Sequence, residues 1–281
     1  MQIRRGLWLI LFLMVMGYLS LPAYGQKRRP DVHYEVTRQE IVEEMLDMAG
    51  VTREDVVYDL GCGDGRFVIT AAKRYGARGV GIDIDPARIK EANENAYRAG
   101  VTDRVKFVEK DLFETDIREA TVVALYLLPE LNLRLRPKLF RELRPGARVV
   151  SNSFDMGDWK PENISSLYAK RFYYWIIPAD VRGRWVWSVS SSRGREHYLM
   201  LLNQTFQEIK GKVTVQGKKV SLFDKQLTGR ELSFRINDRS QGQTSIMRFT
   251  GRVEGDTIRG SLDVEGGPNS GQQRWIAKRV P

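Results

Sequence analysis

The chain has 281 residues, with 45 Lys and Arg against 35 Asp and Glu, for a net charge of +10. That length holds one large domain or two small ones, and its hydrophobic and charged fractions, 42% and 28%, are those of an ordinary globular protein. One cysteine, Cys62, and two histidines, His33 and His197, exclude a disulfide framework and a structural zinc, so no metal is expected.

The N-terminus comes first. Arg4 and Arg5 precede an apolar run from Leu7 to Leu21, and Ala23-Tyr24-Gly25 has the small-x-small form of a cleavage site. Residues 1–25 are therefore read as a signal peptide or membrane anchor. Lys27-Arg28-Arg29 follow at once and oppose export. The expected localisation is exported, periplasmic or membrane-associated, with an anchored domain facing the cytoplasm left open. A basic surface favours acidic partners, so a membrane surface enters as a partner, although solubility alone also explains the charge.

From Asp31 the chain enters an α/β module. Val32-His33-Tyr34-Glu35-Val36-Thr37 is an extended lead-in, and Thr37 with Glu40 three residues later is placed to cap a helix over 38–49. Strands over 55–60, 79–83, 105–108, 121–125 and 147–151 then alternate with helices over 67–75, 86–99 and 130–143. Such alternation predicts a parallel sheet. Two further strands are expected over 165–170 and 171–177. In the second, Arg171-Phe172-Tyr173-Tyr174-Trp175 reads as an edge strand with one buried face rather than a platform for single-stranded nucleic acid. Nucleic acid is accordingly disfavoured as a partner.

Beyond Asp180 the helical period vanishes. About eight short strands separated by turns such as Val215-Gln216-Gly217-Lys218 and Glu254-Gly255-Asp256 predict a small antiparallel sandwich or barrel. Trp185, Trp187 and Trp275 are expected near its ends as plugs. The domains are thus 26–178, α/β, and 179–281, β-rich.

The most informative stretch is Val56-Val57-Tyr58-Asp59-Leu60-Gly61-Cys62-Gly63-Asp64-Gly65-Arg66. An apolar run ends in an acid, crosses three alternating glycines and enters an amphipathic helix. Glycines let the backbone take positive φ and let a ligand approach closely. The dinucleotide fingerprint fails because Arg66 stands where its last glycine belongs, and no Gly-Lys-Ser/Thr follows for a phosphate loop. An acid at the strand end repels phosphate and attracts an ammonium. About twenty residues on, Gly79-Val80-Gly81-Ile82-Asp83-Ile84 puts a second acid at a strand tip, where it suits a ribose diol.

Asp-x-Gly-x-Gly-x-Gly followed by Val-Gly-Ile-Asp resembles the class I, seven-strand S-adenosylmethionine (SAM) methyltransferases. The resemblance implies a Rossmann-like seven-strand sheet and SAM as cofactor. It places Asp59 and Gly61 at the methionine end, Gly63 and Gly65 at the close approach, Asp83 on the ribose, and Ile84, Asp111 and Leu112 around the adenine. Asp64 and Asp85 are read as solvated or capping acids, and Cys62 as a small loop residue with no base to activate it.

The acceptor is less legible. The fourth strand runs into Tyr126-Leu127-Leu128-Pro129-Glu130, without the Asn/Asp-Pro-Pro-Tyr motif of amide and nucleobase methyltransferases. The lead-in around Tyr34 and Thr37, with this Leu-Leu-Pro, is similar to a family of membrane-associated protein-lysine methyltransferases, with His33, Glu35 and Val36 departing from its pattern. That resemblance implies a protein substrate with a lysine-type amine, Tyr34 closing over the methionine end, and Tyr126 and Glu130 lining the acceptor channel. A small-molecule acceptor stays open, as does an exported binding module with a vestigial SAM site. No Gly-x-Ser-x-Gly elbow or His-Glu-x-x-His motif offers another chemistry.

Overall fold

A computed structural model describes residues 35–191, 194–238, 244–267 and 269–281. The expected leader over 1–25 and Tyr34 lie outside the described residues. Four helices are described: α1 (Gln39–Met48), α2 (Arg66–Tyr75), α3 (Pro86–Ala99) and α4 (Pro129–Glu142). They accompany β1 (Val56–Leu60), β2 (Arg78–Asp83), β3 (Val105–Glu109), β4 (Val122–Leu125), β5 (Arg148–Asn152), β6 (Asn163–Leu167) and β7 (Lys170–Ile176). The seven strands form one sheet ordered β3-β2-β1-β4-β5-β7-β6. Strands β1 to β5 are parallel, and β7 and β6 close the sheet antiparallel. β1 and β4 are buried along their whole length because helices cover both faces.

Local chemistry sets the helix ends. Asp85 caps α3 by accepting from the Ala87 N–H at 2.8 Å, with Pro86 behind it, and Gly100 closes the helix at φ +70°. The expected Thr37 cap on α1 does not form. Arg38 holds the N-cap position without a side-chain bond; the Thr37 carbonyl instead accepts from Arg66 Nη1 at 2.6 Å, and its Oγ1 from Asn152. The lead-in is thereby tied across the C-terminal ends of the strands. The expected edge strand over 171–177 also proves to be interior. β6 pairs with its far side, which is why Phe172 and Trp175 are fully buried.

Residues 177–182 lead into a second sheet of nine antiparallel strands. These are β8 (Gly183–Ser191), β9 (Gly194–Thr205), β10 (Glu208–Val215), β11 (Lys218–Val220), β12 (Leu222–Thr228), β13 (Glu231–Asp238), β14 (Ser245–Glu254), β15 (Thr257–Glu265) and β16 (Gly271–Val280). Their order is β11-β10-β9-β8-β16-β15-β14-β13-β12, and contact between β10 and β12 nearly closes it into a barrel. Eight strands were expected. The ninth arises because the chain breaks at Ser221, with β11 pairing with β10 and β12 with β13 at opposite ends of the strand order, and Asp224, at φ +48°, marks an irregularity within β12.

Inward positions alternate with outward ones, and the tryptophans belong to the core rather than to the ends. Trp185, Trp187 and Trp275 are buried with Tyr198, Phe234 and Phe249, and Trp187 stacks on Tyr198 at 5.1 Å between centroids. The barrel leans on the first sheet through its hairpins. Phe206 packs against Phe140 and Trp159, while Gly229 lies against Gly146 and accepts the Ala179 N–H at 2.7 Å.

Candidate active site

The strand order reverses direction between β1 and β4, and ligands of open α/β sheets bind outside the carboxyl ends at such a point. Asp59 ends there on β1 and Asp83 on the neighbouring β2. Between β1 and α2 runs the glycine loop, with Gly61, Gly63 and Gly65 at φ +95°, +53° and +79°. Its start is anchored by the Gly61 and Cys62 N–H groups, both donating to the Ile82 carbonyl at 2.8 and 2.9 Å. The Asp83 carboxylate accepts from the Gly63 N–H at 2.9 Å and from the Asp85 N–H at 3.0 Å. That pairing turns Asp83 toward the loop.

The three glycines answer to different neighbours. A Cβ at Gly61 would meet Leu127 Cδ2 at 3.2 Å. At Gly65 it would sit 2.6 Å from Phe107 and 2.9 Å from Ala92, so this glycine is accounted for by helix packing rather than by ligand approach. Asp64 is likewise not a solvated acid. It is buried and clamped side-on by Arg66 through Nε at 2.9 Å and Nη2, and Arg66 also reaches the lead-in at Thr37. The residue that breaks the dinucleotide fingerprint thus ties the loop to the segment covering it.

Asp59 is the unusual group. It is buried near the carboxyl end of β1, and among the described residues no hydrogen bond reaches its carboxylate. Burial first, then the charges of Asp83 and Asp64, push its pKa up to about 8. A buried carboxylate left in that state calls for a cation. The set therefore fits SAM, whose ammonium would face Asp59 and whose ribose hydroxyls would meet Asp83.

Around the adenine end, Ile84 and Leu112 are half-buried. Asp111 accepts the Phe113 N–H at 2.8 Å and opens a turn. Burial raises the Cys62 pKa strongly, which keeps the thiol inert.

On the other side of the switch point, Tyr126 follows β4 directly beside the loop. Its ring lies 6.5 Å from Phe154, nearly parallel. Lys170, opening β7, donates to Tyr126 Oη at 3.2 Å and to Glu35 Oε1 at 3.3 Å. Hydrogen bonding from Tyr126 and then Lys170 lowers the Glu35 pKa, and the same contacts raise that of Lys170. The sequence reading missed Lys170 and Glu35, which stand 135 residues apart. Glu130 is exposed in the first turn of α4. From the same helix, buried Asn132 donates to Ser151 Oγ and the Phe154 and Asp155 carbonyls at 3.2–3.3 Å, which holds the loop after β5. Asp155 accepts from the Gly157 N–H within that turn.

Comparison with known proteins agrees with this geometry. Residues 59–163 match the ANTKMT methyltransferase domain model. A protein-lysine N-methyltransferase of Saccharolobus islandicus is 48% identical over 136 residues, covering 48% of this chain and 84% of that protein. The adenine nucleotide translocase lysine N-methyltransferase of Mus musculus is 38% identical over 110 residues, and the match spans 39% of this chain and 48% of that enzyme. Among solved structures, an RNA methyltransferase from Salinibacter ruber, in complex with S-adenosyl-L-homocysteine, is 54% identical with a TM-score of 0.52. The match covers 52% of this chain and 96% of that one.

Proposed function

The chain belongs to the class I SAM-dependent methyltransferases, and from that premise we propose that it methylates the side-chain amine of a protein lysine. SAM supplies an electrophilic methyl group on a sulfonium. Asp59 holds the methionine ammonium, Asp83 the ribose, and the Gly63 backbone, fixed by Asp83, allows the close approach. Ile84, Asp111 and Leu112 flank the adenine, with Asp111 engaged in part by its own turn.

A lysine attacks only as the neutral amine. Tyr126 and Phe154 offer an aromatic wall that desolvates it, and the resident charge of Lys170 beside Tyr126 disfavours a second ammonium there. Lys170 itself stays protonated through Tyr126 and Glu35, so it acts as a fixed cation and not as a competing nucleophile. The observation that carries the proposal is this aromatic, cation-bearing wall beside the SAM loop, in a chain 48% identical over 136 residues to a protein-lysine N-methyltransferase.

Tyr34, outside the described residues, is assigned to close the methionine end, and Glu130 to the outer rim of the channel. Residues 1–25 are assigned as a leader or anchor that brings the domain to a membrane.

Incubation with methyl-labelled SAM and either cell protein or total RNA tests the acceptor. Methyllysines in the acid hydrolysate of protein are expected. Label confined to RNA would transfer the acceptor class of the Salinibacter ruber relative to this chain and end the lysine assignment.

A further inference from the structure

The nine-stranded sheet has a charge distribution that methyl transfer does not use. Residues 181–281 hold 18 of the 45 Lys and Arg but only 9 of the 35 Asp and Glu, so nearly all of the net +10 resides there. Within the barrel the charge divides again. The strands β12 to β15 carry Lys225, Arg235, Arg248, Arg252 and Arg259 against six acids. The four arginines are taken up in ion pairs, Arg235–Asp224, Arg248–Glu265, Arg252–Glu231 and Arg259–Glu254. The neighbouring strands β11-β10-β9-β8-β16 carry nine cations against Glu196 and Glu208, and Glu208 is taken by Lys160 of the segment between β5 and β6.

The register places seven of these cations in outward rows, while Lys218 and Arg279 fall in the rows of buried Val215 and Trp185. One row runs Lys212, Leu201, Arg184, Val280 across β10, β9, β8 and β16. The next runs Lys219, Thr214, Leu199, Val186, Lys278. Two apolar residues thus sit in the middle of the second row with lysines at both ends, and Leu201 at 36% exposure extends the apolar strip into the first. Ile276, 47% exposed, projects on the same side of β16 as Lys278. Among the described residues, Lys210, Lys212, Lys218, Lys219 and Arg274 form no ion pair. Five strands span roughly 20 Å, and the first sheet leaves the cations of this face exposed.

We propose that this outward face of β8–β11 and β16 docks the protein on an anionic phospholipid surface. Long cationic side chains lie along an apolar strip and reach up to phosphates, while Leu201 and Ile276 enter the region below the headgroups. Single-stranded nucleic acid fits less well. It needs aromatic faces for its bases, and the barrel turns Trp185, Trp187, Tyr198 and Trp275 inward, leaving none on this face among the described residues. An acidic protein would match the charge but gives no reason for exposed leucine and isoleucine between the lysines.

The test uses the full-length protein and sedimentation with vesicles of phosphatidylcholine alone or of an equimolar mixture with phosphatidylglycerol. The readout is the preference for anionic over neutral vesicles, in which any contribution of the N-terminal apolar segment is common to both. Lys210→Gln, Lys212→Gln and Lys278→Gln together are expected to reduce that preference on the order of 100-fold. Lys225→Gln with Arg259→Gln, on the balanced half, is expected to leave it nearly unchanged. Leu201→Ser with Ile276→Ser should keep the low-salt preference and lose retention at raised salt. Unchanged near-UV circular dichroism, to which buried Trp185, Trp187 and Trp275 contribute, certifies the barrel of each variant as folded. Equal binding to both vesicle types, an equal loss in the control pair, or tighter binding of a single-stranded RNA oligomer through the same three lysines would overturn the proposal.

Discussion

The two sheets handle charge in opposite ways. In the first half of the chain, ionic side chains go inside: Asp55, Asp59, Asp64 and Lys138 are all buried there. In the barrel, Ser245 is the only buried polar residue among those described, and every cation faces outward or sits at a strand end. Burying a charge is costly unless it is paired, and three of the four buried ions meet that condition. Asp55 has Arg148, Thr121 and Thr52; Asp64 has Arg66; Lys138 has Glu142 at 2.8 Å. Asp59 alone has no such partner. The proposed cofactor's ammonium would supply that counter-ion, and the site assignment rests on this exception among the buried charges.

The largest test of that contrast is Asp59→Asn. Removing one member of a buried charge pair costs enough to weaken SAM binding by about 100-fold or more, read by calorimetry. The ligand-free protein should move the other way. In the fold the carboxyl rises from 3.8 to about 8, so the native state binds a proton that the unfolded chain releases. Stability of the ligand-free wild type therefore falls as pH rises from about 4 to 8 and then levels off. The asparagine variant lacks that slope and melts higher at about pH 9. SAM binding to the wild type should release a proton below about pH 8 and weaken by up to about tenfold per pH unit as the solution is acidified. Affinity that is flat between about pH 6 and pH 8 would separate Asp59 from the ammonium.

In the barrel, Trp187→Ala removes the ring that packs on Tyr198, Phe234, Phe249 and Trp275. A loss of about 3–5 kcal/mol is expected in denaturant unfolding, with SAM affinity of the folded fraction unchanged. A matching loss of affinity would mean that the barrel shapes the cofactor site through Phe206. Gly65→Ala is expected to cost about 2–4 kcal/mol, since its Cβ collides with Phe107 at a φ of +79°. Phe107→Leu in the same chain should restore part of the loss, an outcome that ligand crowding would not produce.

The smallest effect is expected at the acceptor wall. Lys170→Met removes a partly exposed charge and should move the acid limb of the kcat profile, which reports the bound amine, upward by roughly half a pH unit or more. A substrate with no titrating amine would show no such movement.

Much of the α/β half was legible in the chain. The alternation of apolar runs and amphipathic segments located β1 to β5 and the four helices to within a few residues, because each depends on a local period and local caps. The hairpin turns at Gln216-Gly217 and Gly255 were equally plain, since Gly217 and Gly255 take the positive φ that favours glycine. The misses share one cause. That β7 is interior depends on β6 folding back beside it, that Asp64 is paired depends on Arg66 turning back toward it, and the split into β11 and β12 depends on their pairing with different strands, β10 and β13.

The order of strands and helices, the two acids at neighbouring strand tips, and the change to a β-rich half were written in residue types and spacing, which act over a few positions. Closure of the barrel, the convergence of Glu35, Tyr126 and Lys170, and the gathering of cations on one face were decided only by packing. Each depends on side chains brought together across strands, and such long-range contacts leave no mark in a local period. The Asp59 carboxyl illustrates the division. Its identity is a matter of sequence, but its pKa of about 8 comes from the burial and the two neighbouring acids that folding imposes.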